Sequence, residues 1–313
     1  MLLRLESFLS STKPTTQSQV LGTSYAFKVN GCSSILGYIH QNTLEQVQWS
    51  DRWSIDHDKK TVTLATPPTA SADVRSQVLD DTLKVTRELN VISMLKSWRN
   101  ETFPVYDSKG EVLLEIERCA SALFGIVTYG VQLLAYVRTE KDFQLWIGKR
   151  SDRKQTYPGM LDSTAAGGLG TGKLPIEAVI CEAQEEASIP EEIVRERAKP
   201  MNHLSYFHIR GNKAGGESGL FQPEIEYTYE LELDSAMIPE PKDSEVDCFS
   251  LYTIDEVVSA LKQGRFKPNS GIVIVEFLLQ HGILTPDNED DYAEILSHLH
   301  RRLEFPVLIQ PSV

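Results

Sequence analysis

The chain has 313 residues, 41% of them hydrophobic and 24% charged, with a formal net charge of −13. That length predicts two domains, and the composition is that of an ordinary globular protein. The acidic balance argues against a nucleic-acid backbone or an anionic membrane as main partner, since both select basic surfaces, but leaves small anionic ligands open.

The chain opens on MLLRLESFLSSTKPTTQSQ, with too short an apolar run for a signal peptide and few basic residues for a transit peptide. No stretch approaches the ~20 apolar residues needed to cross a bilayer. Strands are expected over Ser24–Val29 and Ile35–Ile39, joined by a turn at Asn30-Gly31, and again around Gln46–Ile55 and Thr61–Ala65. From Ser71 to Arg99, Val74, Val78, Leu79, Leu83, Val85, Leu89, Ile92 and Leu95 recur at helical spacing. The polar segment ETFPVYDSKGE then reads as an interdomain connection, dividing the chain into a small α+β unit, residues 1–115, and a second domain, residues 116–313.

In the second part, strands are expected over Phe124–Val137, broken near Gly130, and over Phe143–Lys149 and Ser205–Arg210. PEIEYTYELEL alternates with Ile225, Tyr227, Tyr229, Leu231 and Leu233 on one face and Glu224, Glu226, Thr228, Glu230 and Glu232 on the other. Helices are expected over Ile254–Gln263, Gly271–His281 and Asp291–Leu303. Strands interleaved with helices around one sheet give an α/β layered domain. The cysteines (Cys32, Cys119, Cys181, Cys248) fall into no CxxC or Cys/His spacing, which predicts neither a disulfide framework nor a zinc site, and a cytoplasmic setting. The histidines form no ligand-like cluster, and His298 and His300 read as surface residues of a helix.

The chemistry concentrates in GGLGTGKLPIEAVICEAQEEASI, Gly167 to Ile189. Four glycines in the seven residues 167–173 let the backbone approach a ligand without Cβ clashes. Pro175 suits the first turn of a helix. Ile176, Val179, Ile180, Ala183 and Ala187 gather on one stripe of that helix, and Glu182, Glu185 and Glu186 stand at i, i+3 and i+4 on an adjacent edge. Like charges at that spacing repel, and Mg²⁺, which takes carboxylate and phosphate oxygens together, relieves the repulsion. A solvated acidic helix face is the plainer reading of EAQEE alone.

The segment resembles the Nudix box: a Gly, five residues, Glu, seven residues, then Arg-Glu-apolar-x-Glu-Glu-x-Gly-apolar. Gly167 takes the first position, Glu182 the Glu of Arg-Glu, Glu185 and Glu186 the paired glutamates, and Ile189 the last. Lys173 stands where the box has its first Glu, Cys181 where it has Arg, and Ser188 where it has the late Gly. The flanking LFGIVTYGVQLLAYV, LWIGKRSDRKQTYPGMLDSTAAGG, GLFQPEIEYTYEL, EVDCFSLYTIDEV and GRFKPNSGIVIVEFLLQHG look like the two-domain Nudix proteins related to thiamine pyrophosphokinase. That resemblance implies a Nudix-type α/β/α sandwich with a mixed sheet, preceded by a small α+β N-terminal domain. With the chain ending at Val313, no kinase domain is expected to follow.

The resemblance further implies hydrolysis of a small-molecule diphosphate by a monomer or homodimer. Mg²⁺, with Mn²⁺ as substitute, would be held by Glu182, Glu185 and Glu186, and Glu182 and Glu185 would serve catalysis. Damaged, oxidised thiamine diphosphate is the leading substrate class, and oxidised nucleoside diphosphates of the 8-oxo-dGDP type come next. A catalytically weak metabolite-binding protein is the reading that Lys173 and Cys181 motivate, and an isopentenyl-diphosphate-isomerase-like enzyme finds no matching motif. For substrate contacts the candidates are Lys149, Arg150 and Lys154, with Arg153 the densest basic run, together with Gly167, Gly168 and the ring of Tyr157. Lys267 is a weaker phosphate candidate. Glu226 and Glu230 are candidates for a general base, set against their reading as surface carboxylates of a half-exposed strand. Trp146, Tyr227 and Tyr229 are expected in the core.

Overall fold

A computed structural model describes residues 21–140 and 142–309. The expectations for the N-terminal stretch through residue 20 lie outside the described residues. The chain begins with a four-stranded sheet of β1 (Ser24–Val29), β2 (Gly37–His40), β3 (Trp53–Asp56) and β4 (Thr61–Leu64), in the order β2-β1-β4-β3 with β1 and β4 parallel. Helix α1 (Gln41–Gln46) fills a span expected in part as strand, its first turn closed by the His40 side chain accepting from the Asn42 amide. Helix α2 (Ala72–Glu88) starts at Ser71, whose hydroxyl accepts from the Val74 amide, and buries Leu79 and Leu83. It stops well short of Arg99, with Leu89 as its C-cap, and Leu95 lies in a separate 3₁₀ turn over Met94–Ser97.

The segment expected as a linker is an antiparallel hairpin of β5 (Thr102–Tyr106) and β6 (Val112–Glu117). Phe103, Val105, Leu114 and Ile116 are buried in one core with Phe27, Leu79 and Phe124. Asp107 closes its turn by accepting from the amides of Lys109 (2.8 Å) and Glu111 (3.0 Å). The local polarity of DSKGE marks this turn rather than a tether.

After a 3₁₀ turn at Arg118–Ala120 and the short α3 (Ser121–Phe124) comes the larger sheet. It comprises β7 (Thr128–Arg138), β8 (Phe143–Arg150), β9 (Leu161–Asp162), β10 (Ala165–Gly168), β11 (Lys199–Pro200), β12 (Leu204–Ile209), β13 (Phe221–Glu232) and β14 (Val246–Thr253). The backbone order is β11-β13-β7-β8-β14, with β10 on β7, β12 on β13 and β9 on β8. The β13–β7 pair is parallel, so the sheet is mixed. β7 runs unbroken through Gly130.

On one face lie α4 (Pro175–Ala187) and α5 (Glu191–Arg197), covering Val131, Leu133, Trp146, Tyr227 and Tyr229. On the other lie α6 (Ile254–Lys262), α7 (Pro268–Gln280) and α8 (Tyr292–Leu299), packed on Leu134, Tyr136, Leu145 and Ile147. This is the expected α/β/α sandwich, preceded by a small α+β domain. All four cysteines are free. His300 is not a plain surface residue: its ring lies 3.2 Å from the buried carboxylate of Glu276.

Helix α4 ends at Ser188, which adopts the left-handed conformation (φ 54°, ψ 24°). Glycine accepts that conformation without the Cβ clash that other residues carry there. Ser188→Gly is expected to stabilise the fold by about 0.5–1 kcal/mol, the left-handed cost being partly offset by glycine's freedom in the unfolded chain. Urea unfolding monitored by tryptophan fluorescence reads this, and a destabilised variant would contradict the assigned strain.

Candidate active site

Strand β10 pairs on one side only, antiparallel to β7. Its free side faces the last turns of α4, and there the two box ends meet. Glu186 is buried at 8% exposure and its Oε2 accepts from the Ala166 amide at 2.9 Å. Glu182 lies against Gly167 so closely that a Cβ there would come within 1.9 Å of its Oε1. Glycine at 167 is thus required by the carboxylate's seat. Glu185, one helical step away, is exposed. Burial and the neighbouring Glu185 push Glu182 up to about 7, and burial with Asp162 pushes Glu186 up to about 8.

The sheet's other face carries a second carboxylate layer. β13 is central rather than half-exposed, so the face bearing Glu224, Glu226 and Thr228 is covered as well. Glu226 is 4% exposed and seated over Gly130, where a Cβ would meet its Oε2 at 2.4 Å. Its Oε1 accepts from Tyr206 Oη and Asn269 Nδ2, each at 3.1 Å, while Oε2 has no partner among the described residues. Burial and the adjacent Glu224 raise its proton affinity. Its reading as a surface carboxylate is therefore overturned. Glu230 instead pairs with His281 at 2.6 Å, four residues farther along the strand.

Lys267, the residue before Pro268 at the start of α7, sits 3.8 Å from Asp162 and acts electrostatically on Glu186 and Glu226 as well. Burial alone would raise Asp162, but Lys267 and Arg150 outweigh it and hold the carboxyl below its ordinary range. Nothing in the periodicity of MLDSTAAGG distinguishes Asp162, whereas Pro268 directly after Lys267 is a first-turn signal that could have placed that lysine at a helix start.

The basic run is largely committed to the protein. Arg150 donates to Asp162 at 2.6 Å and to the carbonyls of Thr156 and Tyr157, clamping the loop between β8 and β9. Lys154 pairs with Glu245, and Lys149 with Asp247 at 3.5 Å at the edge strand β14. Tyr157, at φ 50°, is held by its amide donating to Lys213 O (2.9 Å). It lines a surface pocket of about 320 Å³ with Gln155, Met160, Asn212 and Lys213. Trp146, Tyr227 and Tyr229 lie in the core as expected.

Carboxylate oxygens of this kind suit a hard divalent cation, and the raised proton affinities of the neighbouring Glu182 and Glu186 mark an edge short of positive charge. Among the described residues no group of three or more acidic, histidine or cysteine side chains is placed to hold a metal ion by itself. Mg²⁺ characteristically takes one or two carboxylates and completes its shell with water and substrate phosphate, so an open arrangement fits it.

Two family models match the chain: a domain of unknown function (DUF4743) over residues 7–128 and the NUDIX domain over residues 128–273. An uncharacterized protein of Saccharomyces cerevisiae is 37% identical over 75% of this chain and 70% of that protein. Nudix hydrolase 20, chloroplastic, of Arabidopsis thaliana is 32% identical over 91% of this chain and 75% of that protein. Nudix hydrolase 24, chloroplastic, of the same plant is 31% identical over 81% of this chain and 67% of that protein. Matched along most of its length to such a relative, with the NUDIX model spanning the strands and helix that seat Glu182, Glu186 and Glu226, the chain belongs to the Nudix hydrolase family, enzymes of phosphoanhydride cleavage.

Proposed function

We propose that this enzyme is a Mg²⁺-dependent diphosphate hydrolase whose substrates are damaged, oxidised forms of thiamine diphosphate, converted to the monophosphate. The observation that carries the reading is the pair Glu182, half-buried, and Glu186, buried, on one helix edge against Gly167 and the Ala166 amide. Their proton affinity stays high although Lys267, Arg118 and Lys173 all act on them. Glu182, Glu185 and Glu186 would hold Mg²⁺, or Mn²⁺ in its place; bound there, the ion neutralises charge on the diphosphate oxygens and on the departing phosphate.

The protein's own groups do the rest. Water attacks phosphorus, the bridging P–O bond breaks, and phosphate leaves. Glu185, the exposed glutamate of that helix edge, accepts the proton of the attacking water. Gly167 and Gly168 make room for Glu182 and for Phe103 and Arg118, which line the edge where the diphosphate would lie, and Arg150 holds the loop that presents Tyr157 to the ring. The thiamine assignment rests on the flanking sequence resemblance, and an 8-oxo-dGDP-type substrate is the runner-up. Among the described residues no helix is long and apolar enough to cross a membrane. We assign the protein to the cytoplasm.

Glu185→Gln and Glu186→Gln are each expected to lower kcat by about 100-fold or more with the fold intact. Phosphate release and product identity, scored with thiamine diphosphate, its oxidised analogues and 8-oxo-dGDP in Mg²⁺, read this. Undiminished turnover in either variant would sink the helix assignment, and metal-dependent binding without product would favour a metabolite-binding protein.

A second expectation concerns pH. Glu182 and Glu186 titrate near 7 and 8 in the folded protein against 4.5 ordinarily. Between those values the native state holds protons that the unfolded chain has released, so their contribution to stability is full below pH 4.5 and falls as pH rises to 8. Metal-free protein is expected to lose melting temperature from pH 5 to 8, Mg²⁺ to recover it at pH 8, and Glu186→Gln to flatten the slope. Thermal melts showing a Mg²⁺-insensitive protein at pH 8 would count against a metal at this cluster.

A further inference from the structure

The cations expected from the sequence to meet the diphosphate are mostly spent. Arg150 binds Asp162, Thr156 and Tyr157; Lys154 binds Glu245; Lys149 binds Asp247; Lys267 is drawn to Asp162. A Mg²⁺-bound diphosphate still carries negative charge, and a site edged by Glu182, Glu185 and Glu186 repels it unless a cation faces it.

One cation reaches the glycine-rich strand from outside the box. The β5–β6 hairpin lies along the loop, with Thr171 N donating to Thr102 O at 3.4 Å. The turn after β6 then lays the Arg118 guanidinium directly on Gly168, where a Cβ would come 3.3 Å from its Cζ and 2.8 Å from Phe103 Cζ. Arg118 is held from two sides: Nη1 donates to Glu101 at 2.8 Å, and the guanidinium lies 5.6 Å from the Phe103 ring centroid. Its side chain keeps 35% exposure, and its other guanidinium N–H groups have no protein partner among the described residues. It is also the first-ranked cation acting on Glu182. A guanidinium oriented by one carboxylate and one ring, with part of its fork free over a glycine backbone, is suited to bidentate phosphate binding.

We infer that Arg118, carried by the turn after the β5–β6 hairpin, binds the substrate's diphosphate over Gly168 and is the principal phosphate-facing arginine of this active site. The inference rests on the diphosphate-hydrolase reading and adds a binding residue outside the box to it. The hairpin and its following turn are then part of the active site. Thr102 and Phe103 set the position of the arginine, and Glu101 sets its orientation.

The test compares wild type, Arg118→Gln, Arg118→Lys and Glu101→Gln by calorimetric titration with imidodiphosphate in Mg²⁺, by Mn²⁺ titration followed by electron paramagnetic resonance, and by KM and kcat on the best substrate. Arg118→Gln is expected to weaken imidodiphosphate binding and raise KM by about 10- to 100-fold, the scale of a lost charge-assisted hydrogen bond, with kcat and Mn²⁺ affinity each within about threefold. Arg118→Lys, which keeps the charge, should recover part of the loss. Glu101→Gln, which keeps the guanidinium, should lose less than Arg118→Gln. Unchanged imidodiphosphate affinity in Arg118→Gln overturns the inference while leaving the hydrolase reading intact. Equal losses in Glu101→Gln and Arg118→Gln, with no recovery by lysine, reduce Arg118 to a strut and also overturn it. Wild type that neither binds imidodiphosphate nor cleaves any diphosphate overturns the hydrolase reading, and this inference with it.

Discussion

Two neighbouring carboxylates, Glu186 buried and Glu182 half-buried, are the constraint on which this structure turns. Glu182 and Glu186 occupy one edge of α4, against a strand edge that has no strand beyond it. Burying a carboxylate is costly unless it is hydrogen-bonded, paired or protonated. Each requirement leaves a mark nearby. Gly167 has no side chain because Glu182 fills the space one would need, and Ala166 has an amide to give because β10 is an edge strand. The stripe of Ala178, Val179, Ala183 and Ala187 pulls the helix close enough for both contacts. Proton or cation must complete the arrangement, and that links the packing of this helix to the chemistry of the family.

The opposite face of the sheet repeats the problem with a different solution. Glu224 and Glu226 project from a strand covered on both sides, and Tyr206, Asn269 and Gln222 supply the hydrogen bonds that water would otherwise give. Lys267 supplies charge from the start of α7 and acts on Asp162, Glu186 and Glu226 alike. One lysine at a helix entry thus couples carboxylates presented by β9, α4 and β13. The position of α7 over the sheet is therefore an electrostatic matter as well as a packing one, although Ile272, Val273, Ile274 and Phe277 beside it are fully buried.

Much of this was legible because local patterns carry it. β1 coincides with the expected strand, and α6 begins at the expected residue, where Thr253 and Glu256 form a capping box, and ends one residue short of the expected Gln263. The glutamates of α4 follow from helical spacing. What failed did so where burial depends on partners distant in sequence. The alternation of β13 is the same for a strand with one wet face as for one whose polar face lines a buried site, so Glu226 looked exposed. The hairpin at Thr102–Glu117 was hidden by the polar turn at its centre. Arg150 and Lys154 looked free because their partners, Asp162 and Glu245, lie 12 and 91 residues away. Lys267, expected only as a weaker phosphate candidate, is placed by a helix that starts at Pro268 rather than at the expected Gly271.

The departures from the box make physical sense once these contacts are known. Cys181 and Lys173 are both exposed, so replacing an arginine and a glutamate there leaves no buried charge unpaired. Ser188 keeps the left-handed turn that a glycine would take, at a modest strain, and Ile189 N still closes the helix on Ala183 O at 3.1 Å. In this structure neither Lys173 nor Cys181 is buried against the glycine-rich loop. That loop is instead held from outside, by Thr102 O on Thr171 N and by Phe103 and Arg118 on Gly168. A loop braced this way keeps its shape only while the amino-terminal hairpin stays docked. Glu217 helps keep it there, gripping the amides of Ser93 and Met94 at 2.5 and 3.0 Å, while Ser97 Oγ donates to Gln155 at the pocket wall. In this protein the amino-terminal domain is thereby structurally part of the catalytic loop, and changes that loosen its docking should reach the carboxylate cluster before they reach either core.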